Sequence, residues 1–300
     1  MSQRVFLTGA TGVLGRRVVP SLIQAGHSVT AVVRSEAKAE AVRAAGATAI
    51  HLDLFDRGAI RAAIAGHDCV AHLATHIPTG PSAMRRPAWR INDSLRRDAA
   101  AAIANAVVDA RIECYIQESI TFPYVDGGDR WIDESRERTY FWGNESTVAA
   151  ETAAACVTTA GGAGIVLRFA MFMAPDSSHM RAVFSAAQRG VFALVGEATG
   201  YISFIHIDDA AAAVVAALDA PAGTYNVAEP DPLQRSTHRD VLAGVVGRAR
   251  LRAVPAVVER VGGESANSLA RSHRISSQHL QEVTRWAPGV QCANRWKELL

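Results

Sequence analysis

The sequence predicts an α/β fold: a Rossmann-type doubly wound parallel sheet with a smaller C-terminal substrate lobe. Three observations predict it. Short β-branched segments alternate with helical stretches through the first half, the pattern of a parallel sheet covered on both faces. Gly9, Gly12 and Gly15 form a G-x-x-G-x-x-G spacing between the first such strand and the first helix. After Phe169 the alternation loosens into shorter, more aromatic segments, which suggests a lobe packed over the sheet's carboxyl edge. At 300 residues the chain has room for both units. The expected division is 1–170 for the Rossmann domain, with further elements near 200–228, and 171–300 mainly for the substrate lobe.

The elements follow in order. Val5-Phe6-Leu7 opens the sheet, and the glycine loop feeds a helix that runs through Gln24. Residues 28–33 read as a second strand, 36–45 as a helix, 49–52 as a third strand and 69–73 as a fourth. A long Ala-rich helix is expected over 89–110, a fifth strand over 114–117, a helix over 146–159 and a sixth strand over 165–168. The intervening segment 122–143, rich in Gly, Asp and aromatics, reads as an active-site loop.

Composition removes several classes of function. A net charge of +2 gives no electrostatic reason to bind nucleic acid or a membrane surface. The paired arginines Arg16-Arg17, Arg85-Arg86 and Arg96-Arg97 read as solvated helix faces. No apolar run approaches the ~18 residues that span a bilayer. The start, Met1-Ser2-Gln3-Arg4, runs straight into an apolar strand and leaves no room for a signal peptide. Cys69, Cys114, Cys156 and Cys292 form no C-x-x-C and read as reduced core thiols, so the expected compartment is the cytoplasm. No His or Cys spacing suits a metal. Only Lys38 and Lys297 of the 31 basic residues are lysine, the bias of a GC-rich genome.

The glycine loop carries the first chemistry. Its geometry lets backbone amides approach a pyrophosphate at the positive end of a helix. The contacts expected from it are Gly9, Thr11, Gly12, Val13 and Leu14. At the end of the second strand an acid would bind a ribose 2′-hydroxyl. This chain has Arg34 and Ser35, with Lys38 one turn on, a set suited to a 2′-phosphate. NADPH is therefore the expected cofactor, with NADH as the alternative.

The loop Thr8-Gly9-Ala10-Thr11-Gly12-Val13-Leu14-Gly15 resembles that of the extended short-chain dehydrogenase/reductases, the relatives of nucleotide-sugar epimerases. Further stations of that family follow in order. Asp53-Leu54 resembles its adenine-contacting pair, and His72-Leu73-Ala74-Thr75 its strand beneath the nicotinamide ribose. Asn92 resembles its helix-four asparagine, and Phe204-Ile205-His206-Ile207-Asp208-Asp209-Ala210 its junction between sheet and lobe. Tyr225-Asn226-Val227 resembles its late strand. The resemblance implies cofactor contacts from Asp53, Leu54, Leu73, Ala74 and Thr75.

The chain departs from the family where its chemistry is done. The family uses a Tyr and a Lys four residues later, the Lys lowering the phenol's pKa for proton transfer. Aligned on Ser146 and Glu151, those positions are Gly143 and Thr147. No lysine lies four residues after a tyrosine in any register. Ser119 occupies the family's serine position at the end of strand five, with Thr121 and Tyr140 as further hydroxyls nearby. After strand six, Met171, Phe172 and Met173 replace a polar turn. With Phe122, Phe141 and Trp142 they suggest a flat apolar cleft, against a sugar diphosphate and equally readable as core filler. His76 is either a substrate-side proton source or a solvated loop residue, and His206 reads as structural.

The expectation is an NADPH-dependent ketoreductase acting on an aromatic, polyketide-like ketone, whose own peri-hydroxyl supplies the proton. Ser119 would donate to the oxyanion, with Thr121 or Tyr140 assisting. Within the family the chain is similar to atypical ketoreductases of angucyclinone-type antibiotic pathways. The alternatives are a non-catalytic NADP(H)-binding regulator and a nucleotide-sugar epimerase or dehydratase. The expected state is a monomer or homodimer.

Overall fold

The structure, a computed structural model, describes residues 2–300, without the side chains of 81 and 256–260. Strand β1 (Arg4–Thr8) leads through the glycine loop into α1 (Gly15–Gln24), and β2 (Ser28–Val33), α2 (Glu36–Ala44), β3 (Thr48–His51), α3 (Arg57–Ile64) and β4 (Cys69–His72) follow. Helix α4 (Arg90–Ser94) passes through a π turn at Leu95–Ala99 into α5 (Ala100–Asp109). Then come β5 (Cys114–Ile120), β6 (Trp131–Ile132), α6 (Ser146–Thr159), β7 (Ala163–Phe169), β8 (Met171–Met173), α7 (Ser178–Gln188), β9 (Val191–Phe192), β10 (Tyr201–Ile202), β11 (Phe204–His206), α8 (Ile207–Ala217) and β12 (Gly223–Val227).

Seven strands form one sheet in the order β12-β7-β5-β4-β1-β2-β3, all paired in parallel. The order reverses beside β1, which opens a crevice at the carboxyl ends of β1 and β4. Period-two alternation divides the core between the two faces. Val5 and Leu7 pack with α1 and α8, while Phe6 packs with α3, α5 and α6. A third apolar cluster holds the C-terminal lobe, built on Met173, Met180, Phe184, Phe204 and Trp296.

Several expectations need correction. Helix α3 escapes a reading based on strands, although its signal is local: Asp56 accepts from the Ala59 amide as N-cap, and Ile60 and Ile64 repeat on the buried face. The long helix expected over 89–110 is interrupted by the π turn. Strand five runs three residues further, to Ile120, so Ser119 lies within it. Cys156 is exposed on α6 instead of buried, because it falls on the helix's outer face beside Thr152 and Thr159. Two of the three arginine pairs are not wholly solvated. Arg96 is fully buried against Glu118, and Arg16 and Arg17 both reach Asp176.

Among the described residues no helix is long and apolar enough to cross a membrane. Among them, too, no cluster of His, Cys, Asp or Glu could hold a metal ion.

Candidate active site

The glycine loop is built for close backbone approach. Gly9 has φ +75°, and a Cβ there would lie 2.6 Å from the Leu73 carbonyl carbon. A Cβ on Gly15 would lie 2.1 Å from the Gly9 oxygen, so the loop folds flat against the first turn of α1. The Gly12 amide donates to Gly9 O at 3.0 Å. Val13 and Leu14 lead into the first turn of α1, where the Arg16 and Arg17 amides already donate to Gly12 O and Leu14 O, so an anion would be met by the loop amides that precede it. Thr11 and Val13 are half-buried and Leu14 buried beneath the loop. These features fit a dinucleotide pyrophosphate.

The adenosine end fits as well. Arg34 and Ser35 are exposed and Lys38 is half-buried, all at the turn from β2 into α2. Ser35 is the N-cap of α2, yet its hydroxyl makes no capping bond, which leaves it free for an anion. Asp53 accepts from the Phe55 amide at 3.0 Å and shapes the turn after β3, with Leu54 packed beneath. Leu73 is buried against Gly9, Ala74 is half-buried and Thr75 is exposed. Asn92 is fully buried, and its Oδ1 accepts the His76 amide at 3.0 Å, fixing the start of the loop after β4. The His76 side chain is exposed at that point.

The residues expected to do chemistry are placed less simply. Gly143 and Thr147 hold the positions of the missing pair. A Cβ on Gly143 would come within 2.5 Å of the Phe141 ring, so that ring occupies the space a side chain would need. Thr147 is buried and donates to Asn144 O at 2.7 Å, closing the first turn of α6. Phe141 stands edge-on to Trp142, and Trp142 edge-on to Trp89.

Ser119 is fully buried, and its hydroxyl donates to Glu151 on α6 at 2.8 Å. This corrects its expected presentation to the cleft: alternation turns Glu118 and Ile120, not Ser119, away from α6. Glu151 also receives Arg168 (2.8 Å and 2.9 Å) and Arg138. Burial alone would raise the Glu151 carboxyl, but the two guanidiniums and the Ser119 hydroxyl hold it below the usual carboxylate range. Arg168 donates to the Tyr124 phenol at 2.7 Å, and that phenol donates to Asn226 at 2.8 Å. Burial pushes Tyr124 up to about 12.

Thr121 is buried; its amide donates to Phe169 O and its carbonyl accepts from Tyr124. Tyr140 is 37% exposed, with the Arg138 guanidinium 5.6 Å from its ring centroid. Burial raises its pKa, only partly opposed by Arg138, the reverse of what the family's lysine does to its tyrosine.

Of the apolar candidates, Met171 and Phe172 are half-buried at the sheet's carboxyl edge and Phe122 is half-buried nearby. Met173 is corrected: it is fully buried in the C-terminal core with Met180 and Phe204 and does not line the cleft. Three contacts draw the first turn of α7 over the cleft. Asp176 pairs with Arg16 (2.8 Å) and Arg17 on α1, and Ser178 meets Thr79 of the β4 loop at 3.3 Å. His179 on that turn points its Nε2 at the Met171 sulfur, 3.2 Å away. No local motif marked His179 or Asp176 in the sequence, because their partners lie on other elements.

Residues 5–228 match the model of the NAD dependent epimerase/dehydratase family. Over 301 residues the chain is 27% identical to a Streptomyces 3-diazoavenalumate denitrifying reductase, covering 95% of this chain and 96% of that protein. A 71-residue stretch is 42% identical to a Stigmatella aurantiaca 4-hydroxy-2-methyl-3-oxo-4-farnesyl-3,4-dihydroquinoline-1-oxide ketoreductase, covering 24% and 21% of the two chains. Among solved structures, the UDP-N-acetylglucosamine 4-epimerase of Bacillus cereus superimposes with a TM-score of 0.77. It is 20% identical, covers 99% and 98% of the two chains, and speaks for the fold alone.

Proposed function

The chain belongs to the NAD dependent epimerase/dehydratase family, and from that premise we propose that it reduces an aromatic, polyketide-like ketone whose own acidic hydroxyl supplies the proton. It is an NAD(P)H-dependent oxidoreductase; NADPH and the substrate class are the finer parts of the proposal. One observation carries it. The general-acid positions are Gly143 and Thr147, and the space beside Gly143 is filled by the Phe141 ring. An aromatic side chain there supports an apolar substrate and offers no proton.

The reduced nicotinamide, when bound, supplies hydride to the carbonyl carbon. Gly9, Thr11, Gly12, Val13 and Leu14 hold its pyrophosphate, Arg34, Ser35 and Lys38 its 2′-phosphate, and Asp53, Leu54, Leu73, Ala74 and Thr75 line its adenine and ribose. Tyr140 remains a protonated phenol and donates a hydrogen bond to the developing oxyanion, with Thr121 beside it. Ser119 positions the end of β5 through Glu151. Met171, Phe172, Phe122 and His76 face the ring system. Loss of a general acid costs about 10²–10⁴ in rate, which a peri-hydroxyl bonded to the carbonyl offsets by delivering its proton internally.

A second reading rests on the full-length relative, whose name describes a diazo compound reduced with loss of nitrogen. Hydride delivered to an aryl diazonium carbon expels N2 and consumes no proton, so it too would need neither Tyr nor Lys.

The test mixes protein and NADPH with hydroxylated aromatic ketones and quinones, their methyl ethers and an aryl diazonium salt, following loss of the reduced-cofactor absorbance. Oxidation confined to the hydroxylated ketones and quinones supports the first reading; N2 release from the diazonium salt supports the second. Tight NADPH binding with no oxidation anywhere leaves a regulator. Thermal stabilisation by UDP- or dTDP-sugars would turn the assignment toward epimerase or dehydratase.

A further inference from the structure

Among the described residues, His179 is a half-buried imidazole beside the phosphate helix and the β4 loop. It lies on the first turn of α7, which the Asp176 pairs to Arg16 and Arg17 and the Ser178–Thr79 contact hold against the phosphate helix and the β4 loop. Its Nε2 faces the sulfur of Met171, the first residue of β8 at the sheet's carboxyl edge. A thioether is a weak acceptor, so this nitrogen is poorly matched by the protein. Among the described residues its Nδ1 has no hydrogen-bond partner. Burial lowers its pKa, so the ring is neutral and presents one donor nitrogen and one acceptor nitrogen.

We propose that His179 recognises the hydroxyl beside the substrate carbonyl, its Nε2 exchanging the Met171 sulfur for a phenol or enol oxygen. This rests on the reductase reading and names the group that would select substrates able to supply their own proton. A neutral imidazole with its proton on Nε2 donates to the phenol oxygen and leaves that oxygen's own O–H bonded to the carbonyl, to which the proton is delivered. Met171 then lies against the ring face, where a polarisable sulfur is favourable. The exposed His76 is held only through its backbone amide and has no comparable placement. Glu151, a carboxylate whose charge acts on Tyr140, is already committed to two arginines and Ser119.

The experiment uses 5-hydroxy-1,4-naphthoquinone and its 5-methoxy ether as probes. Binding to the NADP⁺-loaded protein is read by tryptophan quenching, and turnover with NADPH by absorbance. The wild type is expected to bind the hydroxy compound about tenfold more tightly, the worth of one good hydrogen bond. His179→Ala should abolish that preference by weakening the hydroxy compound alone, with affinity for NADPH unchanged, and His179→Gln should restore part of it. In turnover the loss should appear in KM more than in kcat. A wild type without the preference, or a His179→Ala variant that keeps it, overturns the assignment. Preference in binding with no NADPH oxidation leaves His179 in place and removes the reductase reading; oxidation without preference does the opposite.

Discussion

At the scale of single residues, the side chains that matter most are those whose partners lie far away in sequence. Ser119 was legible as a polar residue at the end of a strand, but its orientation was not, because Glu151 is 32 positions away. Its replacement by Ala should remove one hydrogen bond, costing about 1 kcal/mol of stability, and leave NADPH affinity and turnover near the wild-type values. Tyr140→Phe should instead slow turnover by about 10²–10³-fold, the scale of one lost oxyanion donor; steady-state rates on a reducible quinone compare the two. If Ser119→Ala is the slower variant, the chemistry returns to that serine. Glu151 is more consequential for the fold. Arg168 is 4% exposed and relies on it, so Glu151→Gln leaves a buried guanidinium short of its counter-charge. A loss of about 3–5 kcal/mol is expected in urea unfolding. Met173 shows the complementary limit: Met171-Phe172-Met173 look alike in sequence, but alternation turns Met171 and Met173 to the C-terminal core and Phe172 to the other side, and only depth in the lobe separates the half-buried Met171 from the fully buried Met173.

At the scale of elements, what was local was readable. The glycine loop, α1 and β2 follow from spacing and β-branching within some thirty residues, and the structure has them at those places. Their steric logic also sets the adenosine site. Arg34 at the end of β2 has no assigned partner among the described residues and stands beside the idle Ser35 cap. Arg34→Glu should therefore weaken NADPH by about 10–100-fold, since it removes charge-assisted bonds to a phosphate, and should leave NADH little changed. Calorimetry with both coenzymes reads the difference, and equal losses for the two would place the 2′-phosphate elsewhere. By contrast, the π turn at Leu95–Ala99 was invisible as periodicity. Arg96 lies within it, and its buried pair with Glu118 of β5, at 3.0 Å, belongs to contacts between helix and strand that no local pattern announces. The aromatic edge contacts among Trp89, Phe141 and Trp142 are of the same kind.

At the scale of the whole molecule, buried titratable groups set how the fold responds to acid. His72, His238 and His273 are buried neutral, and burial holds each at about 4 against an ordinary 6.5. His72 links β1 to β4 through Thr8, His238 receives the Trp296 indole, and His273 meets the Tyr124 carbonyl, so every part of the core carries one. Between pH 6.5 and 4 the unfolded chain binds protons that the native protein refuses. Stability from these groups is complete above pH 6.5 and is lost as the pH falls toward 4, by up to about 3 kcal/mol each. Glu229 acts in the opposite sense. Burial raises it to about 7, against the amides of Phe204 and Cys292 that donate to it. Its share is present below pH 4.5 and is lost as the pH rises toward 7. Three groups outweigh one across the shared window, so the urea midpoint should rise from pH 4.5 to 6.5 and flatten near 7. Glu229→Gln removes the opposing titration and should steepen that rise. A variant with the wild-type slope would mean that Glu229 is ionised throughout, its donors having overcome its burial.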